Sequence, residues 1–244
     1  MLPAFSLIVP AFNEANRVGQ TLTDALDFLR RTSPTSELIV VDDGSSDGTS
    51  DIVRQVFDEA GGIETRLIQQ ATNRGKGAAV RVGLQAATRP VALFSDADLS
   101  TPMEEAPKLL EPIFNGELDV AFGSRALNRR LIGNRQAWHR EQGGRLFNLL
   151  VRLATGLPYW DTQCGFKAFR LETFRPVLEQ ARSEGFGFDV ELLYLAHRSG
   201  LRMREIPVRW NHYEGSKMRL VRDSAQMLQE VMALRLRSPS AQAL

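Results

Sequence analysis

The chain has 244 residues, 43% hydrophobic and 24% charged, with a net charge of +1; this is the composition of an ordinary globular protein, long enough to bury a core without covalent staples. A single cysteine, Cys164, excludes an internal disulfide and fits a reducing compartment. No apolar stretch reaches the length of a membrane span, and the opening MLPAFSLIVP lacks the basic start of a signal peptide, so the expected location is cytoplasmic, peripheral on the cytosolic face of a membrane if it meets one.

Residues 5–10 (FSLIVP) read as a strand, and 13–30 as a helix with Val18, Leu22, Leu26 and Leu29 on one face. A strand at 37–43 (ELIVVDD) precedes a helix at 47–60, and a strand at 65–70 precedes a helix at 75–87. The strand at 91–98 (VALFSDAD) leads to a helix at 103–114, and 118–125 is the next strand. Strands alternating with helices of this length imply an α/β fold, a mostly parallel central sheet with helices on both faces. In the less regular second half, a helix is expected at 141–155, strands at 164–170 and 203–210, and a helix at 189–198. A last helix at 220–236 would place Val221, Ala225, Leu228 and Met232 on one face. With no linker or repeat, residues 1–244 are expected to form a single domain.

Ligands of an open parallel sheet bind at the carboxyl ends of its strands, and there this sequence places its unusual residues. The strands end in Phe12-Asn13-Glu14, Asp42-Asp43, Asp96-Ala97-Asp98 and Ser124-Arg125. A tight turn with Asp47 capping the next helix could explain Asp42 and Asp43, and the helix dipole could explain Glu14. Asp96 and Asp98 are different. Residues two apart point to one side of a strand, so their charges repel unless a cation lies between them. A short acidic motif completed by substrate phosphates suits a hard divalent ion, Mg²⁺ or Mn²⁺, which would stabilise a departing nucleoside diphosphate.

Residues 121–160 carry arginines at 125, 129, 130, 135, 140, 145 and 152 against one acid, Glu141. The stretch is either a solvated face or a surface for phosphates or anionic lipid headgroups. Without a recognition-helix or zinc-finger pattern, nucleic acid is not expected as a partner. Trp138, Phe147, Leu149 and Leu150 among these arginines suit a helix at a membrane interface, and the terminal helix could serve similarly. Trp160, Trp210 and Cys164 read as core or pocket-wall residues. Of 30 basic residues only four are lysines, at 76, 108, 167 and 217, which suggests sites where a compact ammonium fits better than a planar guanidinium.

The ordered set VPAFNE (9–14), VVDDGSSDGT (40–49), NRGKGAAVRVG (73–83), SDADLSTP (95–102) and AFGSR (121–125) resembles the inverting family 2 glycosyltransferases of the GT-A, or nucleotide-diphospho-sugar transferase, fold. DTQCGFKAF (161–169), FGFDVELL (186–193) and the stretch from EIPVRW to GSKM (205–218) extend the likeness over nearly the whole chain. Within the family it is most similar to polyprenyl-phosphate glycosyltransferases, and closer to the dolichyl-phosphate glucosyl branch, which uses UDP-glucose, than to the GDP-mannose branch. The resemblance implies a donor half, about 1–125, and an acceptor and membrane-facing half, about 126–244.

Carried onto this sequence, the resemblance implies that Pro10, Phe12, Glu14, Val41, Asp43, Lys76, Ala97, Gln163 and Lys217 bind the nucleotide sugar and that Asp96 and Asp98 hold the metal. Arg125 and Arg140 would meet phosphates on the polyprenyl-phosphate side, while Asp161, Asp189 and Glu191 would hold sugar hydroxyls or orient the arginines. An anionic phosphate acceptor needs orientation rather than a general base; for a hydroxyl acceptor, Asp161 or Asp189 would be the base. Two positions depart from the mannosyl pattern: Ser100 stands where that branch can carry a glutamine ligand, and Gly144 where a serine can follow the arginine four residues before it. A GDP-mannose-dependent polyprenyl-phosphate mannosyltransferase and a family 2 enzyme with a soluble or glycan acceptor are the alternatives, with a non-catalytic nucleotide-sugar-binding module the least expected. The QxxRW motif of processive synthases and the GxGxRxxP start of nucleotidyltransferases do not occur.

Overall fold

Alternation along the strands sorts the core into two layers. Leu7 and Val9 join Leu38 and Val40 on one side, while Ile8 joins Ile39 and Val41 on the other, as a side-chain period of two requires. These residues belong to β1 (Ser6–Ala11) and β2 (Glu37–Asp42). With β3 (Glu64–Gln69), β4 (Val91–Ser95), β5 (Val120–Ser124), β6 (Phe166–Arg170) and β7 (Met203–Pro207) they form one seven-stranded sheet. Its order is β3-β2-β1-β4-β6-β5-β7. Only β6 runs antiparallel to its neighbours, β4 and β5. This computed structural model describes residues 1–133, 138–211, 227, 230–232 and 234, with the backbone alone at 138–142, 145 and 146.

The helices cover both faces, so the central strands are buried apolar runs. α1 (Val18–Thr32), α2 (Thr49–Asp58) and α4 (Ala106–Phe114) pack on one side; α3 (Lys76–Ala86), α6 (Leu171–Gln180) and α7 (Phe188–Arg198) pack on the other. α5 (Trp138–Thr155) buries Phe147 and Val151 against Val190, Met227 and Val231. α3 lies directly on β1: a Cβ on Gly83 would sit 2.4 Å from Ile8 Cγ2, so only glycine permits that approach, which sets the N-terminus of α3 beside the end of β4.

Two expectations need correction, and one helix was not expected. α1 starts at Val18 rather than at residue 13, because Asn13 is left-handed (φ 52°) and Arg17 N and Val18 N both donate to Glu14 O in a preceding turn. α6 has no counterpart in the sequence reading; its buried positions Leu171, Phe174, Val177 and Leu178 are helically spaced, but Pro176 lies inside it and argues against a helix from sequence alone. In the terminal region Met227, Val231 and Leu234 are buried while Met232 is 54% exposed, so Met232 does not belong to the packed face; Val221, Ala225 and Leu228 lie outside the described residues.

Candidate active site

From β1 the chain steps outward to β2 and β3, then returns to β4 on β1's other side. The crevice at such a topological switch point is where α/β sheets bind ligands. A cavity of about 500 Å³ opens there. Pro10, Phe12 and Glu14 line it from the end of β1, Asp43 from β2, and Asp96, Ala97 and Asp98 from β4. Lys76, Arg125, Gln163 and Asp189 complete its predicted lining.

The two aspartates that end β2 have separate tasks. Asp42 is buried and accepts from Ser45 N at 3.0 Å and from the Ser50 hydroxyl, which is the turn role allowed for it above. Asp47 accepts from Thr49 N, Thr49 Oγ1 and Ala15 N, tying that turn to the segment after β1. Asp43 faces the cavity and accepts from Arg74 N (2.9 Å), Gly75 N (2.7 Å) and Gln70 Nε2 (2.7 Å). Burial raises its pKa above the usual carboxylate range even against those amide donors. Glu14 is paired with Arg17, whose Nη2 donates at 2.8 Å.

At the end of β4, Thr21 Oγ1 of α1 donates to Ala97 O at 2.7 Å, and Asp98 Oδ1 accepts from Ser100 N at 2.9 Å. Leu99 between them is left-handed, φ 44°, a conformation that costs energy for a side chain of its size and is held here by its surroundings. Lys76 Nζ lies 2.6 Å from Asp96 Oδ1. Burial pushes Asp96 above its usual pKa, with Lys76 opposing and Asp98 adding to the rise. Burial works against the charge of Lys76 as well, but Asp96, Asp189 and Asp98 outweigh it and its pKa is raised.

Gly165 is the floor beneath this carboxylate. Its carbonyl accepts from Asp96 N at 3.1 Å, and a Cβ there would stand 2.0 Å from Asp96 Oδ2 and 2.2 Å from Cγ. Gly165→Ala must therefore displace Asp96. We expect kcat/KM to fall about tenfold or more, by the general sensitivity of catalysis to small misplacements, with the melting temperature nearly unchanged; steady-state kinetics alongside thermal unfolding check this.

Arg125 at the end of β5 is clamped from behind. Its Nε and Nη2 donate to the Asp161 carboxylate at 2.7 and 2.8 Å, and its backbone N–H donates at 2.9 Å, a bidentate geometry that fixes the guanidinium plane. Burial opposes the charge of both partners, yet each holds the other ionised: Asp161 lies below its usual pKa and Arg125 above. Glu205 of β7 anchors this corner by accepting from Ser124 Oγ (2.6 Å), Trp160 N (2.8 Å) and Asp161 N (2.8 Å). Asp189, in the first turn of α7, pairs at 2.5 Å with Lys167, which is fully buried and also donates to Cys164 O. Burial, then the Asp161 charge, push the Cys164 thiol up to about 12, so it is an inert core group.

Several expectations shift with this geometry. Val41 does not reach the cavity; it is fully buried in the core beneath α3, its Cγ2 3.2 Å from the position of a Gly83 Cβ. Asp161 stands behind Arg125 rather than facing ligand space, being 1% exposed. Asp189 holds a lysine, not an arginine. Trp210 lines the cavity under Arg125 (5.6 Å to the ring), but Trp160 is 55% exposed and stacked by Arg152 at 3.8 Å, neither core nor pocket wall. Only the backbone of Arg140, in α5, is described, and Lys217 lies outside the described residues. Three contributors were not singled out in the sequence: Arg17 in the cavity wall, Glu205, and Glu105, which accepts from Arg209 N and Nε. Arg17 and Glu105 each have a local partner, Glu14 and Lys108 respectively, three residues away, and that charge spacing was the readable signal.

The profile described as Glycosyl transferase family 2 matches residues 6–178. The chain belongs to glycosyltransferase family 2. The dolichyl-phosphate beta-glucosyltransferase of Saccharomyces cerevisiae is 33% identical to it over an alignment that spans 95% of this chain and 74% of that protein. The Drosophila melanogaster protein of the same name is 39% identical over 225 residues, 87% of this chain and 68% of its own. The Mycobacterium tuberculosis glucosyl-3-phosphoglycerate synthase, crystallised with Mn²⁺, UDP-glucose and phosphoglyceric acid, shares the fold with a TM-score of 0.68 at 20% identity, over 98% of this chain and 81% of that one. That fold is GT-A. In this glycosyltransferase the motif NRGKGAA owes its glycines to close packing: a Cβ on Gly75 would lie 2.4 Å from Glu184 O, and one on Gly77 2.6 Å from Ser183 O and from Phe188 Cβ.

Proposed function

We propose that this glycosyltransferase transfers glucose from UDP-glucose to a polyprenyl phosphate with inversion, giving a β-linked polyprenyl-phosphate glucose. The observation that carries the reading is the meeting, in one cavity, of the Asp96–Asp98 pair at the end of β4 with the clamped Arg125 at the end of β5. The first group suits the donor diphosphate and the second an acceptor phosphate. The names of the relatives support glucose and a lipid phosphate over GDP-mannose or a soluble acceptor. We take the whole chain to act as one unit, with residues to about 125 supplying most of the donor site and the remainder the acceptor side.

The donor set fits a hard divalent cation. Among the described residues no three His, Cys, Asp or Glu side chains gather to ligate a metal, so the protein offers two carboxylates, Asp96 and Asp98, and the phosphates of the donor would supply further oxygens, as is usual for Mg²⁺ or Mn²⁺. The Mn²⁺ and UDP-glucose bound to the mycobacterial synthase are consistent with this. When bound, such a cation neutralises charge on the leaving diphosphate. The protein's own groups do the positioning. Asp43, Glu14, Phe12, Pro10 and Gln163 hold the nucleoside, Arg125 holds a phosphate in a plane set by Asp161, and Asp189, fixed by Lys167, meets the sugar. Arg140 and Lys217 are assigned further phosphate contacts. The acceptor oxygen is already anionic near neutral pH, so no side chain has to remove a proton.

A lipid acceptor requires a membrane approach, and no helix among the described residues is long and apolar enough to cross one. α5 supports a peripheral contact, which we assign to the cytosolic side. Opposite its buried Phe147 and Val151 it exposes Leu149 (48%), Leu150 (38%) and Leu153 (69%), with Trp160 and Arg152 alongside, the pairing of apolar and basic groups that suits an anionic bilayer surface. The test is UDP or GDP release from UDP-glucose, GDP-mannose and UDP-GlcNAc, each with and without polyprenyl phosphate vesicles and divalent metal. The reading predicts release from UDP-glucose that needs both lipid phosphate and metal. A preference for GDP-mannose, or release indifferent to the lipid phosphate, would contradict it.

A further inference from the structure

The carboxylates around the cavity are not equally served. Glu14 is paired with Arg17, Asp161 with Arg125, Asp189 with Lys167, and Asp96 with Lys76. Asp43 is met by amide donors. Asp43 and Asp98 have no ion pair with a described residue, and the one hydrogen-bond donor to Asp98 among the described residues is Ser100 N. Lys76 is also firmly placed. Its ammonium lies 5.5 Å from the Phe94 ring centre and 5.9 Å from that of Phe188. The residues flanking it, Gly75 and Gly77, are pressed against the 183–185 segment, with Gly77 N and Ala78 N both donating to Glu184 O. The ammonium thus occupies a cation position on Asp96 that the fold itself supplies.

We propose that Lys76 is a positioning residue that acts as a resident counter-cation at the metal site, so that a divalent ion binds weakly to the free enzyme and tightly only together with the nucleotide diphosphate. With Lys76 in place, the Asp96–Asp98–Lys76 group carries one net negative charge rather than two, and one carboxylate is already engaged. Such a site attracts a bare divalent cation poorly. A diphosphate adds the missing negative charge and the missing oxygens at once, so metal and nucleotide strengthen each other's binding reciprocally. The lysine also keeps Asp96 fixed before the donor arrives. This proposal rests on the reading that Asp96 and Asp98 face the metal and diphosphate, and its consequence for binding order lies beyond that reading.

The experiment is Mn²⁺ binding, followed by the electron paramagnetic resonance signal of free Mn²⁺, to wild type, Lys76→Met and Lys76→Arg, each with and without saturating UDP. For wild type, UDP is expected to tighten Mn²⁺ binding by about tenfold or more, within the usual range of coupling between sites. In Lys76→Met, Mn²⁺ alone should bind about tenfold tighter than to wild type, from the loss of a neighbouring positive charge, and the gain from UDP should shrink by a similar factor. Lys76→Arg keeps the charge and should retain weak binding of Mn²⁺ alone. A merely structural lysine would give the opposite sign, looser Mn²⁺ binding on its removal. Thermal unfolding identifies any misfolded variant, in which case Lys76→Gln carries the same comparison. If wild type binds Mn²⁺ with UDP but the neutral variant binds Mn²⁺ alone no tighter, the counter-cation role is overturned and the metal site stands. If no protein binds Mn²⁺ even with UDP, the metal site falls, and the proposal with it.

Discussion

Asp98→Ala is expected to lower kcat/KM about a thousandfold while leaving the protein folded. The carboxylate is partly buried in the cavity wall, and its one hydrogen bond among the described residues is accepted from Ser100 N, a contact whose loss costs about 1 kcal/mol. Its expected chemical duty is larger. A divalent ion supplies several kcal/mol of stabilisation at a departing diphosphate, and each 1.36 kcal/mol is about tenfold in rate. Steady-state kinetics with Mn²⁺, combined with thermal unfolding, separate the two effects. A variant with more than about a tenth of wild-type kcat/KM, by the same conversion, would mean that Asp98 is not a metal ligand.

Lys167→Met is expected to cause the largest loss of stability. The ammonium is fully buried, donating at 2.5 Å to both Asp189 Oδ1 and Cys164 O, and Asp189 itself is only 4% exposed. Removing one partner of a buried pair leaves the other charge uncompensated, at a cost of about 3–5 kcal/mol. For a chain of this size that corresponds to a fall in melting temperature of roughly 6–20 °C. The double variant Lys167→Met/Asp189→Leu should regain much of that stability, since a well-packed apolar pair can replace a buried ion pair, but not the activity, because Asp189 lines the cavity. A single variant that melts within a degree or two of wild type, against the fall expected from such a pair, would show that Asp189 finds another partner.

The donor side was readable because it obeys a local rule. Strand ends in a parallel sheet point their residues into one crevice, so Glu14, Asp43, Asp96 and Asp98 could be placed together from the chain order alone. Val41 shows the limit of that rule. It shares Asp43's side of β2 but lies one step deeper, where α3 descends onto β1 over Gly83 and closes the space. Alternation gives the side of a residue, not its depth. The supports of the site were hidden for a different reason: Glu205 reaches Ser124 across 81 residues, and Glu105 reaches Arg209 across 104. Neither partnership leaves a periodic mark. The scarcity of lysine was informative beyond its first reading: Lys76 and Lys167 each place a compact ammonium against a carboxylate within or behind the cavity. α6 went unread although its buried positions are helically spaced, and Met232 was misassigned, because Val231 rather than Met232 turns inward.

The central claim is the transfer of glucose to a lipid phosphate, and the most direct test is to follow the sugar. Purified protein would be supplied with UDP-[¹⁴C]glucose, polyprenyl phosphate and Mn²⁺, and the organic-extractable product isolated for the anomeric coupling in its proton spectrum. The account predicts label in the lipid fraction as a β-linked glucosyl phosphate, abolished by EDTA and by Asp98→Ala. Donor consumption that leaves the lipid unlabelled, or an α-linked product, would contradict it.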